Sequence, residues 1–247
     1  MNIGFYKMLF VILITLFFTS RKQLKFNSKE NVNSVFLKSI IDSNGLTIIE
    51  KPIKYTKLRE SLSLKYLKER HCLIQDKPTI KPQIIVLHYT DGGTIHSVYD
   101  YFNTEKIEDS RKFNKAQSEL NVSSHYLIDR DGTVYHLVSD TLFARHIIGL
   151  NYCSIGVENI GSKSKPLTEK QVIANVKLVK YLCSKYPIEY LIGHSEYGKF
   201  RRTKYWKESN ANYFTGKDDP GVDFMKKVRS CLTTYKLRQT PISLGKF

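Results

Sequence analysis

Two histidines far apart in the chain each close an apolar run. His88 ends Ile84-Ile85-Val86-Leu87-His88, and His194 ends Tyr190-Leu191-Ile192-Gly193-His194. Downstream, Lys217-Asp218-Asp219-Pro220-Gly221 sets an acid against a Pro-Gly turn. Apolar runs of this length read as buried strands. Imidazole and carboxylate both suit zinc, at bond lengths of about 2.0–2.2 Å. Two imidazoles and one carboxylate supply three ligands and leave the fourth position to water, which is how catalytic zinc sites differ from structural ones. Each feature alone has an ordinary reading. A strand-end histidine is usually a satisfied rim residue, and Asp-Pro-Gly is good turn chemistry.

The ordering of further segments adds to this. Ile84–Thr90 is followed by Ser124-His125-Tyr126-Leu127-Ile128-Asp129-Arg130-Asp131-Gly132, then Ser154-Ile155-Gly156-Val157-Glu158-Asn159, Gly193-His194-Ser195-Glu196 and Lys217–Gly221. Together, over roughly residues 48–232, they resemble the zinc-dependent N-acetylmuramoyl-L-alanine amidases of the type 2 amidase family, in the superfamily of peptidoglycan recognition proteins and phage amidase lysozymes. The resemblance implies a central mixed β-sheet flanked by helices. It implies Zn2+ held by His88, His194 and Asp219, the last because it directly precedes Pro220-Gly221, with Asp218 as its rival. It makes Glu158 the base that takes a proton from zinc-bound water, and Lys217 the cation that steadies the oxyanion. His146 matches a histidine kept near the substrate groove, Asn151 is a second candidate for substrate contact, and His125 packs beside the site. The implied reaction is hydrolysis of the amide between N-acetylmuramic acid and L-alanine in peptidoglycan or muropeptides. The alternative is a peptidoglycan-binding module without activity, in which a ligand would be expected to be missing.

One departure stands out. Twenty-five positions separate His194 from Asp219, more than is usual in these amidases. The insert carries Tyr197, Phe200, Tyr205, Trp206 and Tyr213 beside Arg201, Arg202, Lys204 and Lys207. It reads as a flap that offers apolar faces and cations to a wall polymer, or as a passive loop.

The elements that must hold these residues follow from pattern. Leu58, Leu62 and Tyr66 lie at helical spacing within Lys57–Arg70. After the His88 strand, Asp91-Gly92-Gly93 opens a loop and a helix runs through Phe102. Residues 104–121 are charged, show no period and read as a surface excursion. Ser124–Ile128 and Thr133–Val138 read as a hairpin across an Asp-Gly turn. Ser154–Asn159 reads as a strand. Thr168 and Gln171 form a capping box ahead of Val172, Val176, Val179, Leu182 and Cys183 on one helical face. A strand then reaches His194, and Phe224, Val228, Cys231 and Leu232 mark a last helix. Strands alternating with helices predict an α/β fold on one sheet.

Composition sets the surroundings. The formal net charge of +16 favours an anionic partner. No RNP-like or zinc-knuckle pattern points to nucleic acid. Lys7 precedes the apolar run at 8–18, followed by Arg21-Lys22, the layout of a secretory signal. The run falls short of the roughly 20 residues of a spanning helix, and Phe18 and Ser20 make a poor cleavage site, so an uncleaved anchor in the inner membrane is the alternative. These features predict an exported protein of the periplasm or cell envelope. The expected organisation is a leader at 1–20, a polar linker at 21–47, the catalytic domain at 48–235 and a tail at 236–247. Export would permit disulfides among Cys72, Cys153, Cys183 and Cys231, in three possible pairings. Four small apolar core residues is the other reading.

Overall fold

The computed structural model describes residues 39–41, by their backbone, and 45–241. The leader, most of the linker and residues 242–247 lie outside the described residues. In chain order the elements are β1 (Ser39–Ile41), β2 (Thr47–Glu50), α1 (Lys57–His71), β3 (Ile84–Tyr89), α2 (Ile95–Asn103), α3 (Lys112–Lys115), β4 (Tyr126–Ile128), β5 (Val134–His136), β6 (Ser154–Asn159), α4 (Glu169–Lys185), β7 (Tyr190–Gly193) and α5 (Val222–Ser230). The strands form one seven-stranded mixed sheet, in the order β1-β2-β5-β4-β6-β3-β7. Among the described residues no helix is long and apolar enough to cross a membrane.

Alternation along the strands sorts the side chains into two faces. Ile85 and Leu87 of β3, Ile155 and Val157 of β6 and Leu191 of β7 point one way, onto α4 and α5. There they meet Val172, Leu178, Val179 and Leu182 of α4 and Phe224, Met225 and Val228 of α5. The capping box starts α4 as its sequence predicts: the Gln171 N–H donates to Thr168 Oγ1 at 3.2 Å and the Thr168 N–H to Gln171 Oε1 at 2.9 Å. Ile84 and Val86 of β3, with Tyr190 and Ile192 of β7, point the other way. That face is covered by irregular chain, with α1 and α2 packed beyond it in two smaller clusters. His88 and Glu158 share its parity.

Four expectations change. The hairpin strands are shorter than predicted, because the N–H groups of Leu137 and Val138 both address His125 O, at 2.8 and 3.4 Å, and break the ladder. The excursion at 104–121 is anchored: Ile107 and Leu120 are buried, and the buried guanidinium of Arg145 donates to the carbonyls of Asn114, Ser118 and Leu120. The stretch read as a tail from 236 pairs with the sheet. Leu191 N–H donates to Arg238 O and Arg238 N–H to Glu189 O, both at 3.0 Å, which satisfies the open edge of β7. At the opposite edge, residues 39–41, inside the stretch read as linker, pair antiparallel with β2. All four cysteines are unpaired, and only Cys153 is buried.

Candidate metal centre and cleft

Register brings the first two groups together. β3 and β6 run parallel with His88 opposite Glu158. β7 lies on the other side of β3 with Leu87 opposite Gly193, so His194, the next residue, emerges beside His88. Asn159 fixes the strand end: its Nδ2 donates to His88 O at 3.0 Å, while its Oδ1 accepts from Asn175 of α4 at 2.7 Å. The chain returns from the insert to the same place. Ser195 N–H donates to Asp219 O at 2.9 Å. Gly193 permits this approach, since a Cβ there would lie 2.9 Å from Pro220 Cδ. Glu196 accepts from Gly193 N–H at 2.8 Å and ion-pairs with Arg229 of α5, tying the turn to that helix.

The three buried side chains converge on one point. His88 Nδ1 and His194 Nδ1 are 3.0 Å apart, and Asp219 Oδ2 lies 3.3 Å from the first and 3.2 Å from the second. A tetrahedral ion with bonds near 2.0–2.1 Å separates its donors by about 3.3 Å. The triangle therefore has the edge lengths and the nitrogen–oxygen donor set of a three-ligand zinc site. Burial opposes ionisation of Asp219, but its hydrogen bonds with His194 and His88 hold the carboxyl below the usual carboxylate range. Burial, with the neighbouring His88, lowers the His194 imidazole to about 4, so it is neutral and available as a ligand. Asp218, the rival acid, turns away and accepts from Tyr89 OH at 2.8 Å.

The triangle opens onto a cleft of about 640 Å³ that Glu158, His146 and Lys217 also line. Glu158 Oε2 is buried and has no hydrogen-bond partner among the described residues. Burial raises this carboxyl to about 7, against the opposing influence of His88, Lys217 and Arg111. Lys217 is exposed in the cleft wall. Arg111, on the excursion, also lines the cleft, and its Nη1 donates to Tyr101 OH at 2.8 Å. Its run of charge without period hid it in the sequence.

The remaining candidates divide. His146 reaches the cleft, with its Nδ1 3.1 Å from His88 Nε2. Asn151 does not: it is fully buried, and its Oδ1 accepts from the N–H groups of His146 and Ile147 at 2.9 and 2.8 Å. It shapes the turn that presents His146. His125 is buried beside the site. Its Nδ1 accepts from Gly156 N–H at 3.0 Å, so its proton is on Nε2, directed at Leu142 O at 2.9 Å. Gly156 makes room for His146, since a Cβ there would lie 2.6 Å from the ring.

The insert is no solvated flap. Tyr197, Phe200, Tyr205 and Tyr213 are buried against Ile84, Val86, Tyr190 and Ile192. Trp206 packs on Gly149, where a Cβ would lie 2.7 Å from the indole. Ser209 N–H donates to Arg70 O at 2.9 Å and Glu208 pairs with Arg70, strapping the insert to the end of α1. Tyr197 OH donates to Thr215 O at 2.6 Å and accepts from Thr215 N–H at 3.0 Å, two residues before Lys217. The aromatic residues read as faces for a substrate are the covering of the sheet over β3 and β7, where no residue of α1–α5 joins the cluster.

Several solved structures resemble this chain. N-acetylmuramoyl-L-alanine amidase LysC from Clostridium intestinale URNW is 21% identical, with 75% of this chain and 97% of that one covered, at a TM-score of 0.46. A bumblebee PGRP-SA is 18% identical, covering 68% and 91%, at 0.47. An AmpD derivative is 24% identical, covering 61% and 84%, at 0.44. No curated protein matches. The family model for N-acetylmuramoyl-L-alanine amidase (Amidase_2) matches residues 78–222, from before β3 to the start of α5, and spans every residue of the cluster. With more than half of its length matched, the chain belongs to this amidase family.

Proposed function

We propose that the protein is a zinc-dependent amidase that hydrolyses the bond between the lactyl group of N-acetylmuramic acid and L-alanine in peptidoglycan or muropeptides. The observation that carries this reading is the convergence of His88, His194 and Asp219 beside the unpartnered carboxylate oxygen of Glu158. His88, His194 and Asp219 would hold the zinc ion, which would supply Lewis acidity and a bound water acidic near neutral pH. Glu158 takes the proton of the attacking water and returns it to the departing amine of L-alanine. A base so placed contributes roughly 10²–10⁴-fold. Lys217 presents its ammonium to the oxygen on which negative charge develops, a contribution of about 10²–10³-fold for donors of this kind. Its position in the cleft wall supports that role.

A wall substrate and the basic, apolar N-terminal run together support export to the cell envelope, as part of the same proposal. Fractionation of cells carrying a tagged full-length chain reads it, and a wholly cytoplasmic pool contradicts it. For the reaction, purified muropeptide is incubated with zinc-loaded protein and the products are weighed by mass spectrometry. The expected products are a free stem peptide with an L-alanine N-terminus and a peptide-free muramyl sugar. Tight muropeptide binding without any product would favour a recognition module instead.

A further inference from the structure

A second groove adjoins the cleft across a shared wall. Tyr89, Asp218 and Lys163 make that wall: Tyr89 OH donates to Asp218 Oδ1 at 2.8 Å, and Lys163 Nζ lies 3.9 Å from Asp218 Oδ2. All three residues line both spaces, the cleft that holds Glu158 and Lys217 and a groove of about 470 Å³ beside α5. The sides of the groove are largely apolar, with Pro166, Leu167, Pro220 and Val222 among them. Val222 is 81% exposed in the first turn of α5, whereas Phe224 and Val228 of the same helix are buried in the core. Gly221 keeps the groove clear beside it. Nothing lies within 4 Å of the place its Cβ would take, and its φ of +96° favours glycine.

Charge separates the two spaces. In the groove, Lys163 pairs with Asp218 and Lys227 with Glu169. Asp223, exposed and without a partner among the described residues, adds a free carboxylate. The cleft instead presents Arg111 and Lys217, neither of them in an ion pair among the described residues. A stem peptide carries carboxylates and suits the cationic cleft. A strand of N-acetylated sugars is uncharged between its stem peptides. Its rings offer C–H faces to apolar side chains and hydroxyls to a carboxylate, the mixture of broad apolar lining and few polar groups that small ligands need.

We propose that the groove is a glycan subsite, which holds an uncharged sugar next to the muramyl residue whose stem peptide is cut, while the cleft holds the peptide. This rests on the amidase reading above. Contacts to a remote sugar add binding energy without touching the groups that break the bond, so the protein prefers a glycan strand to a single-sugar muropeptide.

The test uses the zinc-loaded full-length protein and two soluble substrates. One is an N-acetylmuramyl peptide with a single sugar, and the other a strand of two disaccharides that carries the same stem peptide. For wild type, kcat/KM for peptide release should be higher on the strand. Val222→Glu puts bulk and charge at an exposed position. It should lower kcat/KM on the strand about tenfold, the worth of covering one aliphatic side chain, and leave the single-sugar value unchanged. Elemental analysis and thermal melts check that the variant keeps its zinc and its fold. In 13C–1H spectra of wild type, the Val222 methyl signals should move with added peptide-free tetrasaccharide and stay in place with free stem peptide. Signals that move with the peptide alone, or with neither, overturn the proposal, as does a Val222→Glu variant that loses equally on both substrates or on neither. The spectra need neither turnover nor a folded variant. Val222 signals that move with the sugar in a wild type that cuts neither substrate would leave the subsite standing and overturn the amidase reading.

Discussion

At the scale of single residues, each position of Gly156-Val157-Glu158-Asn159 has its own physical task. Gly156 is bare so that His146 can stand over it, Val157 enters the helix-covered core, Glu158 faces the cleft and Asn159 clamps the carbonyl of His88. His88→Ala, His194→Ala and Asp219→Ala should each lose stoichiometric zinc by elemental analysis, while Asp218→Ala keeps it. Retention by the Asp219 variant with loss by the Asp218 variant would exchange the two roles. Glu158→Gln preserves shape and removes the base, so it should keep zinc and lose turnover by about 10² or more. Near-normal rates with bound zinc would remove Glu158 from the mechanism. Burial raises the Glu158 carboxyl to about 7 in the metal-free chain. A dication beside it favours the carboxylate, so zinc should move its titration downward in 13C spectra of the side chain. No movement would mean that the ion binds elsewhere.

At the scale of elements, legibility followed periodicity. The strand that carries His88, the strand that ends at Asn159 and the capped helix α4 were readable because alternation and capping chemistry are local. The insert was not, since burial of its aromatic residues depends on a sheet face built from β3 and β7, far away in sequence. The same holds for Arg111 and Arg145, whose partners come from separate segments. The insert as core covering makes a different prediction from the insert as flap. Phe200 is fully buried, with its ring centroid 5.2 Å from that of Tyr190. Phe200→Ala should cost about 3–5 kcal/mol in urea unfolding. Shortening the insert should lower zinc affinity and impair soluble and insoluble substrates alike, because it also aims Lys217 and Asp219. Selective loss on insoluble peptidoglycan, with zinc content intact, would restore the flap.

At the scale of the whole molecule, buried histidines set the response to pH. Burial lowers His71 and His125 to about 4, His71 against its bond to Lys207 O and His125 against its bond to Leu142 O. An unfolded histidine titrates near 6.5. Between about pH 6.5 and 4 the unfolded chain therefore binds protons that the folded chain does not, and stability falls with acidification by about 1.4 kcal/mol per pH unit for each such group. His136 works in the other direction. Burial opposes its charge, but bonds to Asp140 and Glu50 raise its pKa, so its contribution is present below 6.5 and is lost as pH rises through the folded value. Urea midpoints in chelator should be highest near neutral pH and fall clearly by pH 5. A flat profile from pH 7 to 5 would show that these histidines are protonated in the fold. Zinc should add stability on top of this, by about 2.7 kcal/mol at a hundredfold excess over its dissociation constant.

The most direct measurement is a zinc titration of the metal-free protein followed by release of stem peptide from a defined muropeptide. Release should be absent without metal, rise linearly and level off at one equivalent, and the Glu158→Gln protein should bind that equivalent and release almost nothing. Release by the metal-free chain, or none at saturating zinc, would contradict the assignment of His88, His194, Asp219 and Glu158 to one zinc-dependent amide-cleaving site.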